Sequence, residues 1–323
     1  MLTFLVAFVP SFLIALSVAP VLIPRLSRAG IAGKDLHKPN QPRVAEMGGL
    51  AIVVGFSGGI LVSSAAISFF HVFPEVEIAI LLAGLSTILL TGLIGILDDL
   101  LGMHQGVKAA LPVLAALPLM AVRAGQTSMT VPLLGRLDFW IFYPLVLLPA
   151  GVTVAANAVN MVAGFNGLEA GLGIVAMGSL AVIATLLKET TALVLLLSGL
   201  GALLGILRYN WYPAKMFVGD VGTLSIGAIL AASCVVGNFE TAGVILLIPY
   251  AIDFLLKARH GFPESFGELR DGKLHCPAGG PVGLGQLIMK VAGGIHERTL
   301  VLVLMGVEAV FGAIAIILYV VPG

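Results

Sequence analysis

Asn157-Ala-Val-Asn-Met-Val-Ala-Gly-Phe-Asn-Gly-Leu-Glu169 is a polar island between two hydrophobic runs, each long enough to cross a bilayer. Three asparagines, Asn157, Asn160 and Asn166, fall within ten residues. An amide cannot shed its polarity by changing protonation, and leaving one unpaired in hydrocarbon costs several kcal/mol. These side chains therefore require water, a metal, a ligand or one another.

The composition around this island sets the class. Of 323 residues, 59% are hydrophobic and 11% charged, with a mean hydropathy of +1.09. A soluble domain carries roughly 25% charge. The chain reads as an all-α polytopic membrane protein, one integral membrane domain over 1–323, with room for about ten spans. Forty glycines suit close helix packing in lipid. The formal net charge is zero, so no nucleic-acid footprint is present. Cys234 and Cys276 lie in different kinds of segment and form neither a disulfide framework nor a zinc site. The N-terminus lacks a basic n-region and a cleavage signal, so Leu2–Ile23 reads as a retained first span.

Outward from the island, the apolar runs are Leu2–Ile23, Gly48–Phe70, Ile78–Leu97, Val107–Val122, Phe139–Ala156, Gly167–Leu187, Thr191–Ile206, Val221–Val236, Thr241–Leu256 and Thr299–Val321. The fourth and fifth are interrupted by Pro112, Pro118, Pro144 and Pro149, which spans tolerate where neighbours satisfy the freed carbonyls. The loops after odd-numbered spans hold fourteen Lys and Arg, and those after even-numbered spans three. By the positive-inside rule the odd loops are cytoplasmic and both termini lie outside. Thr127–Val131 and Leu137–Phe139 flank Pro132 and Gly135, a pattern that predicts a small external β-hairpin. The long loop from Lys257 to Arg298 predicts a short amphipathic helix over Leu284–Val291, lying on the membrane.

The remaining polar residues fall on the cytoplasmic side with the island. Asp98-Asp99 closes the third span. A solvated helix end is the plain alternative, but a helix C-terminus is the negative pole, so two carboxylates there call for a cation. Lys108 can return from the next helix to face them. Asp220 opens the eighth span in Phe217-Val-Gly-Asp-Val-Gly-Thr223. An N-cap would explain Asp220, but not Phe217 or the glycines Gly219 and Gly222. Glycines admit close backbone approach, and an aromatic ring beside them can stack on a base. A hard divalent cation takes oxygen ligands, one or two carboxylates with phosphate oxygens and water. Asp220 with the amide oxygen of Asn160 meets that description.

Arg259-His260 follows the ninth span. A guanidinium grips phosphate in a fork, and His260 can donate to a phosphate or sugar oxygen. Asp253 stands four residues before Lys257, the spacing of an internal ion pair. In the first loop, Lys34-Asp35-Leu36-His37-Lys38 reads mainly as solvated basic loop. Glu46, beside Met47-Gly48-Gly49 at the mouth of the second span, is placed to contact a ligand.

Asp98-Asp99, Asn157-x-x-Asn160, Gly164-Phe-Asn-Gly-Leu-Glu-Ala-Gly171 and Phe217-Val-Gly-Asp220 together resemble the polyprenyl-phosphate N-acetylhexosamine-1-phosphate transferases over essentially the whole chain. That superfamily includes the bacterial phospho-MurNAc-pentapeptide translocase and the eukaryotic dolichyl-phosphate GlcNAc-1-phosphate transferase. Asn166-Gly-Leu-Glu169 and Gly33-Lys-Asp-Leu36 look closer to the archaeal and eukaryotic branch. The resemblance implies transfer of GlcNAc-1-phosphate, or a related N-acetylhexosamine-1-phosphate, from a UDP-sugar to a polyprenyl or dolichyl phosphate, with release of UMP. It implies Mg²⁺, with Mn²⁺ as an alternative, held by Asp220 and Asn160. Asp98 and Asp99 would be the acidic pair at the reaction centre, with Lys108 on phosphate. Phe217 would stack on uracil, Asn166 would hydrogen-bond it, and Asn157 would join the substrate contacts. Arg259 would hold the diphosphate beside His260, and Glu46 would lie near the sugar. A homodimer in the cell membrane, with a cytoplasmic site, completes the expectation. One departure stands out: Arg259-His260-Gly261-Phe262-Pro263 has Gly261 where the eukaryotic Arg-His-Arg-Ile-Pro pattern has a second arginine. The rival reading is a secondary transporter or lipid-linked sugar flippase, which would need midplane polar residues and repeated spans. No repeat is present in the sequence.

Overall fold

The computed structural model describes residues 2–131 and 135–320. Among them, eight helices are long and apolar enough to cross a membrane: α1 Phe4–Arg28, α2 Gly49–Phe70, α3 Ile78–Leu101, α5 Tyr143–Val162, α6 Leu168–Leu187, α7 Thr190–Asn210, α8 Gly219–Gly237 and α12 Glu297–Val320. The pair α9 Glu240–Leu246 and α10 Ile248–Arg259, bent by 49°, makes a ninth. The remaining expected span is α4, the shorter run Gln105–Ala121. Pro112 and Pro118 each remove a backbone donor and disfavour helix in the residue before them. The run accordingly divides into Gln105–Ala110, Pro112–Ala115 and Leu117–Ala121.

α8 is the central helix. Every residue from Val221 to Gly237 is buried, against α2, α3, α5, α6, α7 and α9. Small side chains make this possible, because they let backbones approach closely. A Cβ on Gly49 of α2 would sit 2.0 Å from the Gly222 nitrogen, and one on Gly95 of α3 would sit 2.4 Å from the Val221 Cα. Gly222, whose spacing pointed to a ligand, instead receives α2. These contacts draw the end of α3 and the starts of α2 and α8 together.

Three two-stranded antiparallel hairpins decorate the bundle. The expected one is β3 Ser128–Val131 with β4 Gly135–Asp138; its turn lies outside the described residues. The other two carry no pattern that predicts them. β1 Ala32–Lys34 pairs with β2 Arg43–Ala45, with Gly33 opposite Val44. β5 Glu268–Arg270 pairs with β6 Lys273–His275. The expected short helix is α11, Leu284–Ala292, burying Gly285, Gln286 and Met289. Backbone bonds then stitch the first loop to the start of α8: Phe217 N–H donates to the Ala45 carbonyl at 2.7 Å, and Gly48 N–H to the Phe217 carbonyl at 2.8 Å.

Candidate active site

The end of α3 and the start of α8 meet through a cap supplied from outside the helix. The first backbone N–H groups of a helix have no partner within it. Here the Asp99 carboxylate accepts from Asp220 N–H at 2.9 Å and from Val221 N–H at 3.2 Å. Asp99 lies at the negative end of α3 and the positive end of α8, and the second offsets the first. Gly219 enters α8 at φ 68°, and a Cβ there would meet the Asp99 oxygen at 2.8 Å. With the cap provided by Asp99, the Asp220 side chain is free for other work.

That side chain is the hub of a polar cluster. Lys108 of α4 bridges Asp98 at 2.7 Å and Asp220 at 2.5 Å. Asp98 also accepts from Met103 N–H at 2.9 Å. Asn160 donates its amide to Asp220 and, at 2.8 Å, to Thr223. Asn157 works differently: it donates to the Ala109 carbonyl at 3.0 Å and the Thr153 carbonyl at 2.8 Å. It braces α4 against α5 and so fixes Lys108. Glu46 approaches from the first loop, near enough to Asp220 that their charges repel; burial is the larger reason its carboxyl is pushed above the usual range.

A cavity of about 370 Å³ adjoins the cluster, lined by Glu46, Asp99, Asp220, Phe217, Asn166 and Phe266 among others. Among the described residues, Lys34 is the one cation in its lining. Across it stands a second polar cluster built from loops. Asp35, His37, Lys38 and Glu297 are all buried, a correction to the solvated loop expected of the first three. Lys38 pairs with Asp35 at 3.3 Å and with Glu297, and lies 4.0 Å over the Tyr212 ring. Glu297 accepts from the Asn166 backbone at 2.8 Å and its amide at 2.9 Å. Asn166 Oδ1 accepts from Ala214 N–H at 2.6 Å. His37 stacks on Phe165 at 4.8 Å and its Nε2 accepts from Gly267 N–H at 3.2 Å. Burial holds the His37 imidazole below its ordinary value, although Glu297 and Asp35 pull the other way.

Two sets of donors could receive a divalent cation. Asp35, His37 and Glu297 bring ligand atoms within 4.8 Å of one another, but the Lys38 ammonium already stands between the two carboxylates. Three carboxylates, Asp98, Asp99 and Asp220, gather around Lys108, and Glu46 adjoins Asp220 with Arg43 near it. The Asn160 amide, donating through its nitrogen, leaves its oxygen without a partner among the described residues. This surplus of hard oxygen donors fits Mg²⁺ chemistry.

Residues 81–238 match glycosyl transferase family 4. A Saccharolobus solfataricus protein with the provisional name UDP-N-acetylglucosamine–dolichyl-phosphate N-acetylglucosaminephosphotransferase is 35% identical over 98% of this chain and 97% of its own length. The chain belongs to this family. A phospho-N-acetylmuramoyl-pentapeptide-transferase of Halalkalibacterium halodurans is 31% identical over 78% of this chain and 80% of its own. The UDP-N-acetylglucosamine–dolichyl-phosphate N-acetylglucosaminephosphotransferase of Dictyostelium discoideum is 26% identical over 91% and 82%.

Within this family fold, the sequence-predicted residues divide into four groups. Asp98, Asp99, Lys108, Asn160 and Asp220 converge, and Glu46, Asn166 and Phe217 line the adjoining cavity. Asp253 and Lys257 pair at 2.8 Å as expected, and Lys257 also reaches the Met161 carbonyl. Arg259 and His260 stand exposed at the end of α10 and do not line the cavity; His260 Nδ1 lies 2.8 Å from the Leu256 carbonyl. Sequence reasoning missed Glu297. Its only signal is an acid opening the last apolar run, which also suits any helix N-terminus.

Proposed function

We propose that this protein transfers GlcNAc-1-phosphate, or a related N-acetylhexosamine-1-phosphate, from a UDP-sugar to a polyprenyl or dolichyl phosphate, releasing UMP. The observation that carries the reading is the trio of carboxylates around Lys108, with Glu46 beside Asp220, opening on a cavity with Phe217 on its wall. Such a surplus of negative charge calls for a cation, and the names of its relatives specify the reaction. By the distribution of Lys and Arg, the site faces the cytoplasm and both termini lie outside.

Asp220 and Asn160 would hold Mg²⁺, which when bound supplies charge neutralisation to the diphosphate and the departing UMP. Phosphoryl transfer is mostly positioning and electrostatics, and the protein's residues provide both. Lys108 is anchored between Asp98 and Asp220, so its charge is fixed in place to meet phosphate. Phe217 offers a ring to the uracil, with Asn166 beside it. Glu46 faces the sugar, and Asn157 serves the substrate by holding α4. Arg259 carries no ion pair among the described residues, so it is available to the diphosphate, with His260 next to it.

The acceptor phosphate has a second pKa of roughly 6, by analogy with phosphorylated side chains, and is mostly dianionic at neutral pH. It therefore attacks without needing a base. Asp98, held by Lys108 and Met103 N–H, orients it rather than forming a bond to it. The acceptor is a lipid and the donor is water-soluble, which accounts for a polar site at the end of apolar spans. The transporter reading has family membership against it.

Purified protein with UDP-GlcNAc, Mg²⁺ and a short polyprenyl phosphate should release UMP. Release without lipid, or none with any UDP-sugar, would count against the proposal. Asp98→Asn should keep substantial activity at pH 8 and lose it at pH 5, where the acceptor is protonated. A trapped phospho-aspartate would rule out direct attack.

A further inference from the structure

A second cavity, of about 280 Å³, lies between α5, α6, α8, the α9–α10 bend and α12. Leu230, Ala231, Cys234 and Val235 of α8 line it. They follow Asp220 by ten to fifteen residues, so at 1.5 Å per residue the cavity is about 15–22 Å further along that helix. Its walls are almost wholly apolar. Glu240 and Tyr143, both in the lining, satisfy each other.

Two groups break that pattern. Glu308, midway along α12, is fully buried, and neither of its carboxyl oxygens has a hydrogen-bond partner among the described residues. Tyr250, only 3% exposed, has an equally unpartnered hydroxyl. Both line the same cavity. Buried polar groups are ordinarily paired, and two orphans facing one space mark where a polar atom belongs. Among the described residues, no Lys or Arg lines the cavity. An ionised carboxylate there would be uncompensated, and the neutral acid is far cheaper to bury. Glu308 therefore presents both a donor and an acceptor.

We propose that this cavity is a second lipid site, which takes a neutral amphiphile with a hydroxyl as its one polar group, a long-chain alcohol. The walls belong to membrane-spanning helices, so the ligand enters from hydrocarbon. A lipid phosphate has no cation to meet. A bare hydrocarbon chain, including a prenyl tail, leaves Glu308 and Tyr250 unpaired. A hydroxyl accepts from one and donates to the other. The site stands independently of the proposed reaction.

The test uses tetradecanol, with tetradecane as its hydroxyl-free match, on the full-length protein purified in detergent. A ligand that binds the folded state alone raises the melting temperature with occupancy. Tetradecanol should raise it by a few degrees at saturation, and tetradecane should not. Tyr250→Phe and Glu308→Leu should each flatten the response. Glu308→Leu should also melt higher without ligand, because it removes an orphaned polar group. A second measurement needs no variant: a diazirine-bearing tetradecanol should label segments 143–151 and 230–247, with competition from tetradecanol but not tetradecane. Equal responses to alcohol and alkane, label elsewhere, or a response that survives both substitutions would overturn the proposal. The cavity would then hold only water or hydrocarbon.

Discussion

The two charge clusters flanking the site cavity, the first half-buried and the second buried, are made of similar residues and are satisfied differently. Around Lys108, three carboxylates face one ammonium, and the side chains come from helix ends that the glycine contacts of α2, α3 and α8 lock together. Around Glu297, Lys38 pairs with Asp35 and Glu297, Asn166 fills the remaining acceptors, and the residues come from loops. A surplus of one sign in low dielectric is costly unless a ligand or ion relieves it. The second set has one carboxylate more than its ammonium, but Asn166 donors occupy its oxygens, and a set so hydrogen-bonded serves to fasten. On the proposed function the first cluster receives substrate and cation, whereas the second clamps the Asn166 loop, the first loop and the start of α12.

This contrast can be broken by experiment. Asp220→Asn should give the largest effect, a fall of about 10³-fold in UMP release, the scale of losing one preorganised electrostatic group. The fold should remain intact by circular dichroism. Near-normal turnover would mean that the surplus charge has no catalytic role. Glu297→Gln should instead raise KM for UDP-GlcNAc about tenfold, with kcat held within twofold, because Asn166 loses a charged acceptor. It should also cost about 3 kcal/mol of stability in denaturant titration, the lower end for a broken buried pair, since Asp35 still faces Lys38. A loss of kcat alone would place Glu297 in the chemistry and erase the distinction.

Smaller effects sharpen it. Arg259→Ala should lower kcat/KM about fivefold to tenfold, the worth of one charge-assisted contact. Its melting temperature should not move, because Arg259 is exposed and has no ion pair among the described residues. The smallest effect concerns pH. His37 is held below its ordinary value of 6.5, chiefly by burial. The folded protein then binds this proton less readily than the unfolded chain. The stability it contributes is complete above the unfolded value and is lost as pH falls below it. His37→Gln, which keeps an acceptor but cannot titrate, should flatten the melting-temperature decline on that acid side. An unchanged slope would assign the decline to other groups.

Much of the first cluster was legible. Asp98-Asp99, Asn160 and Asp220 each interrupt an apolar run, and intramembrane polarity is costly enough to read as function. Lys108 was expected to return toward the carboxylates, and does. The second cluster was not legible. Glu297 and Lys38 are 259 residues apart, and neither carries a local pattern naming the other. Asp35, His37 and Lys38 look like an ordinary basic loop until three other segments bury them. Asn157 and Asp99 were read by residue type as substrate-facing and acidic-pair members, and their geometry shows a brace and a helix cap. Glu308 escaped notice because a single acid within a long apolar run leaves the span's hydropathy nearly unchanged.

The sequence by itself determined the membrane class, the position of nearly every span and the polar residues of the first cluster. Those properties follow from transfer energies, which add along the chain and need no knowledge of neighbours. Tertiary structure alone decided which carboxylate caps a helix and which is left to a cation, and which charges balance one another. Such outcomes depend on distances of a few ångströms between segments far apart in the chain, where a change of one partner reverses the role of a residue.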